Sequence, residues 1–338
     1  LINRYDSLYT NPERIPCTPH FQNVKRLTRL SMLDKALIQR LESKATQIKD
    51  MLIRNNYDWE ETTYQLIAKN FGFKINSDAF WRLASVLSLK ILQKHRDNLL
   101  QIEALLFGQS GLLDKNLHVS QSTLFNDWRD ANEDYIQLLK REYSVLAYKY
   151  SLNDNKLSVS EWKFLRLRPA NFPTIRISQF ASLIYKTQGL FSTLINTTDV
   201  KQLYKLFDVK QSDYWKTHYV FGKKSKNKTM QVNIPEDIKK DKIPGFGKMS
   251  SENLIINTVA PLLVCYAKEK DKDVYIDKAV KFLEQLPGEK NHIINYWQNI
   301  NLPLKTAFDT QAGIELYNSF CKQRKCLRCN IGTAIMRQ

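Results

Sequence analysis

Ser31-Met-Leu-Asp-Lys-Ala-Leu-Ile-Gln-Arg-Leu-Glu-Ser-Lys-Ala-Thr-Gln-Ile-Lys-Asp-Met-Leu-Ile-Arg-Asn55 decides the fold. Leu33, Leu37, Leu41, Ile48 and Leu52 recur at helical spacing, so they form one apolar stripe, with Ser31 as the cap. Glu42-Ser43-Lys44 falls on the opposite, polar face and reads as solvated. The same texture continues along the chain. Asp58, with Glu61 three residues on, opens a second helix that stops at Gly72. Ser77 opens a third through Phe80, Leu83 and Leu87, and a fourth continues to Phe107, before Gly108 to Gly111 breaks the pattern. The longest helix is expected from Ser122 to Tyr150, with Trp128, Tyr135, Leu139, Leu146 and Tyr150 on one face. Residues 1–28, with Pro12, Pro16 and Pro19, read as an irregular lead-in.

After Asn153 the pattern changes. Trp162 to Arg168 alternates like a strand, before a loop bracketed by Pro169 and Pro173. Helical spacing returns from Ile177 to Leu194. Tyr214 to Phe221 and Thr229 to Ile234 read as a hairpin around a lysine-rich loop. Ser250 or Ser251 caps a nearly all-apolar helix, and three more helices follow to Phe320. The expected fold is mainly α, a multi-helical array with one small β-hairpin insertion. An N-terminal helical lobe would span 1–155. A basic helical lobe would span 156–338, with the hairpin at about 213–234 and a cysteine hook at 321–329.

Composition agrees. Of 338 residues 43% are hydrophobic, enough for one large core or two ordinary ones, and only ten glycines and ten prolines favour long helices over a turn-rich sandwich. No run of eighteen apolar residues occurs. Ile255 to Ala267 is too short and carries Asn257 and Thr258, so no membrane span is expected. The start, Leu1 to Thr10, lacks an initiator Met and a signal-type apolar core, which reads as a fragment or trimmed chain. Five cysteines suit a reducing cytoplasm better than a secreted disulfide framework. The net charge is +17. Residues 1–150 hold 21 Lys+Arg against 17 Asp+Glu, and residues 151–338 hold 30 against 17, so the excess lies in the second half. Such a field attracts polyanions, although solubility alone is an equally ordinary use of it.

Two long motifs, Gln101-Ile-Glu-Ala-Leu-Leu-Phe-Gly-Gln-Ser-Gly-Leu-Leu113 and Arg166-Leu-Arg-Pro-Ala-Asn-Phe-Pro-Thr-Ile-Arg-Ile-Ser-Gln179, accompany Asp58-Trp59-Glu60, Ile256-Asn257-Thr258 and a terminal cysteine cluster. Together they resemble the bacterial domain-of-unknown-function family 2851 from Leu1 to Gln338. The resemblance implies no activity. It does imply a further N-terminal region in full-length relatives, with clustered Asp, Glu and His loosely like a restriction-type nuclease core. Any catalytic carboxylates would then lie outside this chain.

The second motif is the leading binding candidate. On a strand Arg166 and Arg168 point the same way, and Arg176 returns beyond a loop stiffened by two prolines. Three guanidiniums on rigid backbone suit phosphate or carboxylate, with Asn171 and Gln179 adding amide contacts. The competing reading has these arginines pairing with buried acids such as Glu103, which lies within an apolar face and needs a partner. Lys223, Lys224, Lys226 and Lys228 form a basic hairpin tip suited to phosphate backbone. Lys242-Ile-Pro-Gly-Phe-Gly-Lys248 resembles the hairpin of helix–hairpin–helix DNA-binding modules. Pro261 removes the hydrogen bond to the Asn257 carbonyl, leaving Asn257 either a functional notch or a self-satisfied kink. Asp309 reads as a cap or a contact to the same pocket.

Cys321-x4-Cys326-x2-Cys329 carries the most direct hint of chemistry. Three readings stand: a zinc site completed by Cys17, Cys265 or His292, a redox pair, or reduced thiols packed in a terminal hook. No hydrolase triad or zinc-peptidase helix is present, and no reaction is legible. The expected function is a nucleic-acid-binding helical module of a larger nuclease-like protein. Trp162, Trp215 and Tyr219 would stack on bases. The alternatives are a protein-interaction scaffold and a metal or redox protein built on the C-terminal cysteines.

Overall fold

A computed structural model describes residues 2–114, 132–224 and 243–337. The described residues are mainly α-helical, as expected. The chain forms two compact units, one of Leu1–Met51 with Ile255–Gln338 and the other of Leu52–Leu254. The boundary expected near residue 155 falls inside the second unit. There the Leu157 N–H donates to the Gln109 carbonyl (2.9 Å) and Trp162 Nε1 to the Ser110 carbonyl (2.8 Å), tying both sides of that point together. Counted by unit, the charge is even: 21 Lys+Arg against 13 Asp+Glu in the first and 30 against 21 in the second.

The first unit begins with α1 (Ile2–Thr10), a helix where an irregular lead-in was expected. α2 (Arg26–Arg54) then runs for 29 residues, and its last residues enter the second unit. Leu33, Leu37, Leu41, Ile48 and Leu52 are all buried along it, with Ala36 and Ala45 filling the gaps in the stripe. Ser31 does not cap it, because the helix has already begun at Arg26.

The second unit runs through α3 (Trp59–Phe71), α4 (Ser77–Val86), α5 (Leu89–Gln93), α6 (Leu99–Gln109) and α7 (Asn132–Tyr150). Asp58 accepts from the Glu61 N–H (3.0 Å) and Gly72 ends α3, as the sequence predicts. Residues 122–131 of the expected long helix lie outside the described residues. Gly108 does not break α6. It lets α7 close in, since a Cβ there would stand 2.0 Å from the Tyr143 ring. Gly111, at φ +75°, makes the turn that follows.

α8 (Pro173–Lys186), α9 (Leu190–Asn196) and α10 (Val200–Phe207) lead to a hairpin of β1 (His218–Val220) and β2 (Lys223–Lys224). The strands are antiparallel, with His218 opposite Lys224 and Val220 opposite Lys223. The turn is thus at Phe221–Gly222, with Gly222 at φ +73°. This is tighter than expected and places Lys223 and Lys224 in the strand. The expected partner strand, Thr229–Ile234, lies outside the described residues, as do Lys226 and Lys228. The core of this unit gathers on Phe180, whose ring meets Tyr64 (5.5 Å), Phe71 (5.1 Å) and Phe80 (6.4 Å).

α11 (Lys248–Leu254) closes the second unit and runs into a π-turn, Ile255–Val259, which opens the return of the first. Ser250 and Ser251 lie inside α11 and do not cap it. The π-turn precedes Pro261 in α12 (Ala260–Lys270), where the missing proline N–H and the ring disfavour a regular α-turn. α13 (Val274–Gln285), α14 (His292–Asn299) and α15 (Ala307–Leu316) follow, then a second π-turn at Tyr317–Cys321 and α16 (Asn330–Arg337). The core of this unit includes Trp297, whose indole N–H donates to the Gly313 carbonyl (2.8 Å), and Phe21 against it. No helix among the described residues is long and apolar enough to cross a membrane.

Candidate functional site

The segment 166–179 is not a strand with aligned arginines. Arg166 sits in a turn at φ +63°, and Pro169 starts a 3-10 turn, Pro169–Asn171. Pro173 starts α8. A proline pre-sets φ for the first residue of a helical turn, so two of them four apart coil the chain where alternation suggested extension. The consequence splits the three guanidiniums. Arg166 and Arg168 are exposed, while Arg176 is buried.

Among the described residues Arg176 is held without an acid. Its Nη1 donates to Gln179 Oε1 (3.0 Å), and its Nη2 to Asn171 Oδ1 (2.6 Å) and Ser250 Oγ (3.2 Å). The guanidinium lies over two rings, 4.6 Å from the Phe73 centroid and 4.9 Å from that of Phe246. Burial lowers its pKa to about 10, so it stays charged at neutral pH. Gln179 continues the chain of bonds to Gln211 Oε1 (3.1 Å), and Gln211 Nε2 reaches the Ile243 carbonyl (2.6 Å).

Among the described residues Glu103 pairs with no arginine either. It accepts from Ser178 Oγ (2.5 Å) and Tyr135 Oη (2.9 Å), and Tyr135 in turn accepts from Trp215 Nε1 (3.0 Å). Ser178 also accepts from the Ser212 N–H (3.0 Å). Two hydroxyls satisfy a buried carboxyl without a second buried charge, and desolvation pushes its pKa up to about 7. The two long motifs therefore meet at Glu103 and Ser178, on the packed faces of α6 and α8. Neither Tyr135, Ser178 nor Gln211 stood out in the sequence, because a hydroxyl or amide near an apolar run has no signature of its partner.

The exposed surface lies at the start of the same motif. Lys163, Arg166 and Arg168 are exposed, and the two arginines make no ion pair with a described residue. Half-buried aromatics run alongside: Phe164 packs edge-on against Phe172 (5.3 Å), and Phe172 against Tyr219 of β1 (5.7 Å). Thr174 Oγ1 donates to the Tyr219 carbonyl (2.5 Å), fixing the hairpin beside the loop. β2, with Lys223 and Lys224, pairs with that strand. Trp162 and Trp215 are not available to bases. Both are buried, Trp215 completely, against Phe107 (5.1 Å).

Of the Lys242–Lys248 segment the structure describes residues 243–248, and these are anchored inward. The Ile243 N–H donates to the Lys216 carbonyl (2.8 Å) and the Phe246 N–H to the Val209 carbonyl (2.9 Å), so neither amide is presented to a phosphate. Lys248 is exposed, its ammonium 5.5 Å from the Tyr204 ring centroid.

In the first unit Lys44, expected on a solvated face, is half-buried and donates to Asn257 Oδ1 (2.8 Å) in the first π-turn. Burial and then Arg40 lower its pKa to about 7. Arg40 donates to Gln311 Oε1 (2.6 Å) and pairs with Glu315 (3.4 Å), and Gln311 reaches Glu289. Asp309 caps α15, accepting from the Thr306 N–H (3.0 Å), and belongs to this unit, not to that of the arginine motif.

Cys321, Cys326 and Cys329 are free and buried, and Cys17 lines the same cavity of about 20 Å³. Cys265, inside α12, and His292 do not.

No curated protein and no solved structure matches the chain. A family profile described as a protein of unknown function covers residues 1–292, the two long motifs included, and the chain belongs to that family, DUF2851.

Proposed function

We propose that the second unit binds nucleic acid through the surface formed by the Arg166–Arg168 loop and the β1–β2 hairpin. The observation that carries this reading is the placement of two exposed arginines beside the half-buried rings of Phe164, Phe172 and Tyr219. Guanidiniums meet phosphate oxygens while the accessible parts of the rings contact bases, a combination suited to single strands and indifferent to sequence. β2, which contains Lys223 and Lys224, pairs with β1, and Lys226 and Lys228 follow in sequence. Arg176, Asn171 and Gln179 support the loop from beneath and do not face the ligand. The chain thus supplies grip to a larger nuclease-like protein acting in the cytoplasm, and cleavage belongs elsewhere.

The test is fluorescence anisotropy of the protein with labelled single- and double-stranded DNA and RNA across salt concentration. Micromolar or tighter binding that weakens steeply with salt, and that is lost in Arg166→Glu with Arg168→Glu, supports the reading. Absence of binding at low salt overturns it. A protein-interaction scaffold is the second reading, favoured by an apolar groove of about 160 Å³ in the first unit, lined by Leu37, Ile38, Leu41, Val264, Ile276 and Phe308. That reading gains if the anisotropy is flat and a protein partner is recovered.

A further inference from the structure

Four of the five cysteines in this chain come together, although Cys17 and Cys321 stand near opposite ends of the sequence. Cys17 precedes the 3-10 turn Thr18–Asn23, and Cys321 ends the second π-turn. Cys326 starts the 3-10 turn Cys326–Arg328, and Cys329 immediately precedes α16. All four are buried and free, and all line the one small cavity. They are close enough to disfavour one another's ionisation: Cys326 and Cys329 raise the pKa of Cys17, and Cys17 raises that of Cys321.

Burial raises the pKa of all four thiols, and neighbouring groups oppose it only in part. The backbone N–H groups of Ile331 and Gly332 act on the Cys329 sulfur and oppose the effect of its burial. Gly332 permits the tight turn, since a Cβ there would stand 2.4 Å from the Cys326 carbonyl oxygen. Arg324 favours the thiolates of Cys321 and Cys326, and Lys35 that of Cys329. A divalent ion held by four thiolates carries two net negative charges, which cations at this range would balance.

We propose that Cys17, Cys321, Cys326 and Cys329 bind a single zinc ion as a closed four-thiolate site that fastens the C-terminal segment to the N-terminal one. Four thiolates complete the tetrahedral set of a structural zinc site, with no open position for catalysis. Each thiol gives its proton to solvent as its sulfur bonds the ion, and no electron is transferred. The cavity, about 20 Å³, has room for one ion. The sulfurs are not yet at ligand spacing, and among the described residues no three His, Cys, Asp or Glu side chains already frame an ion. Binding would therefore require the cysteines to turn about χ1, which moves a sulfur by about 3 Å from one well to the next. This site is independent of the nucleic-acid surface, which lies wholly in the second unit.

The experiment is metal analysis of the full chain, purified without a histidine tag, followed by exchange with cobalt(II). One equivalent of zinc and the intense visible bands of a tetrahedral cobalt thiolate are expected. Cys17→Ser should lose the ion or lower its affinity at least a hundredfold, whereas Cys265→Ala should keep it. Should Cys17→Ser fail to fold, alkylation of the native protein provides the same answer: the four cysteines should react only after chelation, as located by peptide mass spectrometry. Three outcomes overturn the proposal: no zinc and no cobalt spectrum, iron with acid-labile sulfide, or Cys17 alkylated at the same rate with and without chelator.

Discussion

The two ends of the 166–179 motif put the same side chain to opposite uses. At one end Arg166 and Arg168 stand in solvent without acidic partners among the described residues, and at the other Arg176 is enclosed between two phenyl rings. The exposed pair costs the fold little and holds its charge free for a ligand. The buried one is committed: every acceptor it meets among the described residues is neutral, and the rings supply what a carboxylate would otherwise supply. Glu103, in the same unit, obeys the same rule with the opposite sign, bonded to hydroxyls rather than to a cation. Charge type thus says little about role in this unit. Depth decides it.

Substitutions at the two depths should separate widely. Arg176→Ala removes three hydrogen bonds and the filling between Phe73 and Phe246, and should cost about 4 kcal/mol, read as a lower urea midpoint at constant m. Arg176→Lys should recover little of this, because an ammonium cannot fork to Asn171 and Gln179 while lying flat on the rings. A midpoint shift no larger than that of Arg168→Ala would abolish the distinction between the two ends.

Glu103→Gln sharpens the comparison through pH. The folded protein keeps a proton on Glu103 that the unfolded chain releases between pH 4.5 and about 7, so stability falls as pH rises through that window. Above it, the neutral amide should be the more stable variant by roughly 3 kcal/mol. Below pH 4.5 the difference should vanish. Equal denaturation midpoints at pH 5 and pH 8 in both proteins would mean that Glu103 is not protected from water.

Gly108→Ala should cost about 2 kcal/mol by driving a methyl into the Tyr143 ring and parting α6 from α7. The smallest effect on stability belongs to Arg166→Ala with Arg168→Ala, within about 0.5 kcal/mol of the parent. That same pair should reduce the salt slope of single-strand binding by about 1.4, the loss of two phosphate contacts. A thermal shift comparable to that of Gly108→Ala would place these arginines in the fold and not at a ligand.

The legible parts of this chain are the local ones. The α2 stripe, the Asp58 cap, the Gly72 stop and the disturbance at Pro261 each depend on residues within a turn or two of one another. The second motif was misread for a local reason too: alternation of apolar and basic residues from Trp162 to Arg168 mimics a strand, and only the prolines betray the coil. The sites were less legible. The sequence leaves Arg176 open between a ligand contact and the partner of a buried acid such as Glu103, and in the structure it is buried and bonds Gln179 and Asn171 instead. Glu103 was recognised as needing a partner, but the arginine expected for it proved to be Ser178 and Tyr135. Trp162 and Trp215 were offered to bases and lie in the core, because an aromatic residue in a basic stretch looks the same in sequence whichever way it faces.

By itself, the sequence determined that this protein is helical, where several of its helices begin and end, and that it carries a large positive charge. Periodicity and capping act within a few residues, so they survive in a one-dimensional reading. Only the tertiary structure decided that residues 1–51 fold with 255–338, which evens out the charge that had seemed to belong to the second half. It also decided that Arg176 lies deep while Arg166 does not, and that Cys17 joins three cysteines from the other end of the chain. Each of these depends on which surfaces meet when the apolar stripes are buried, a choice made between distant segments and written in no single stretch of residues.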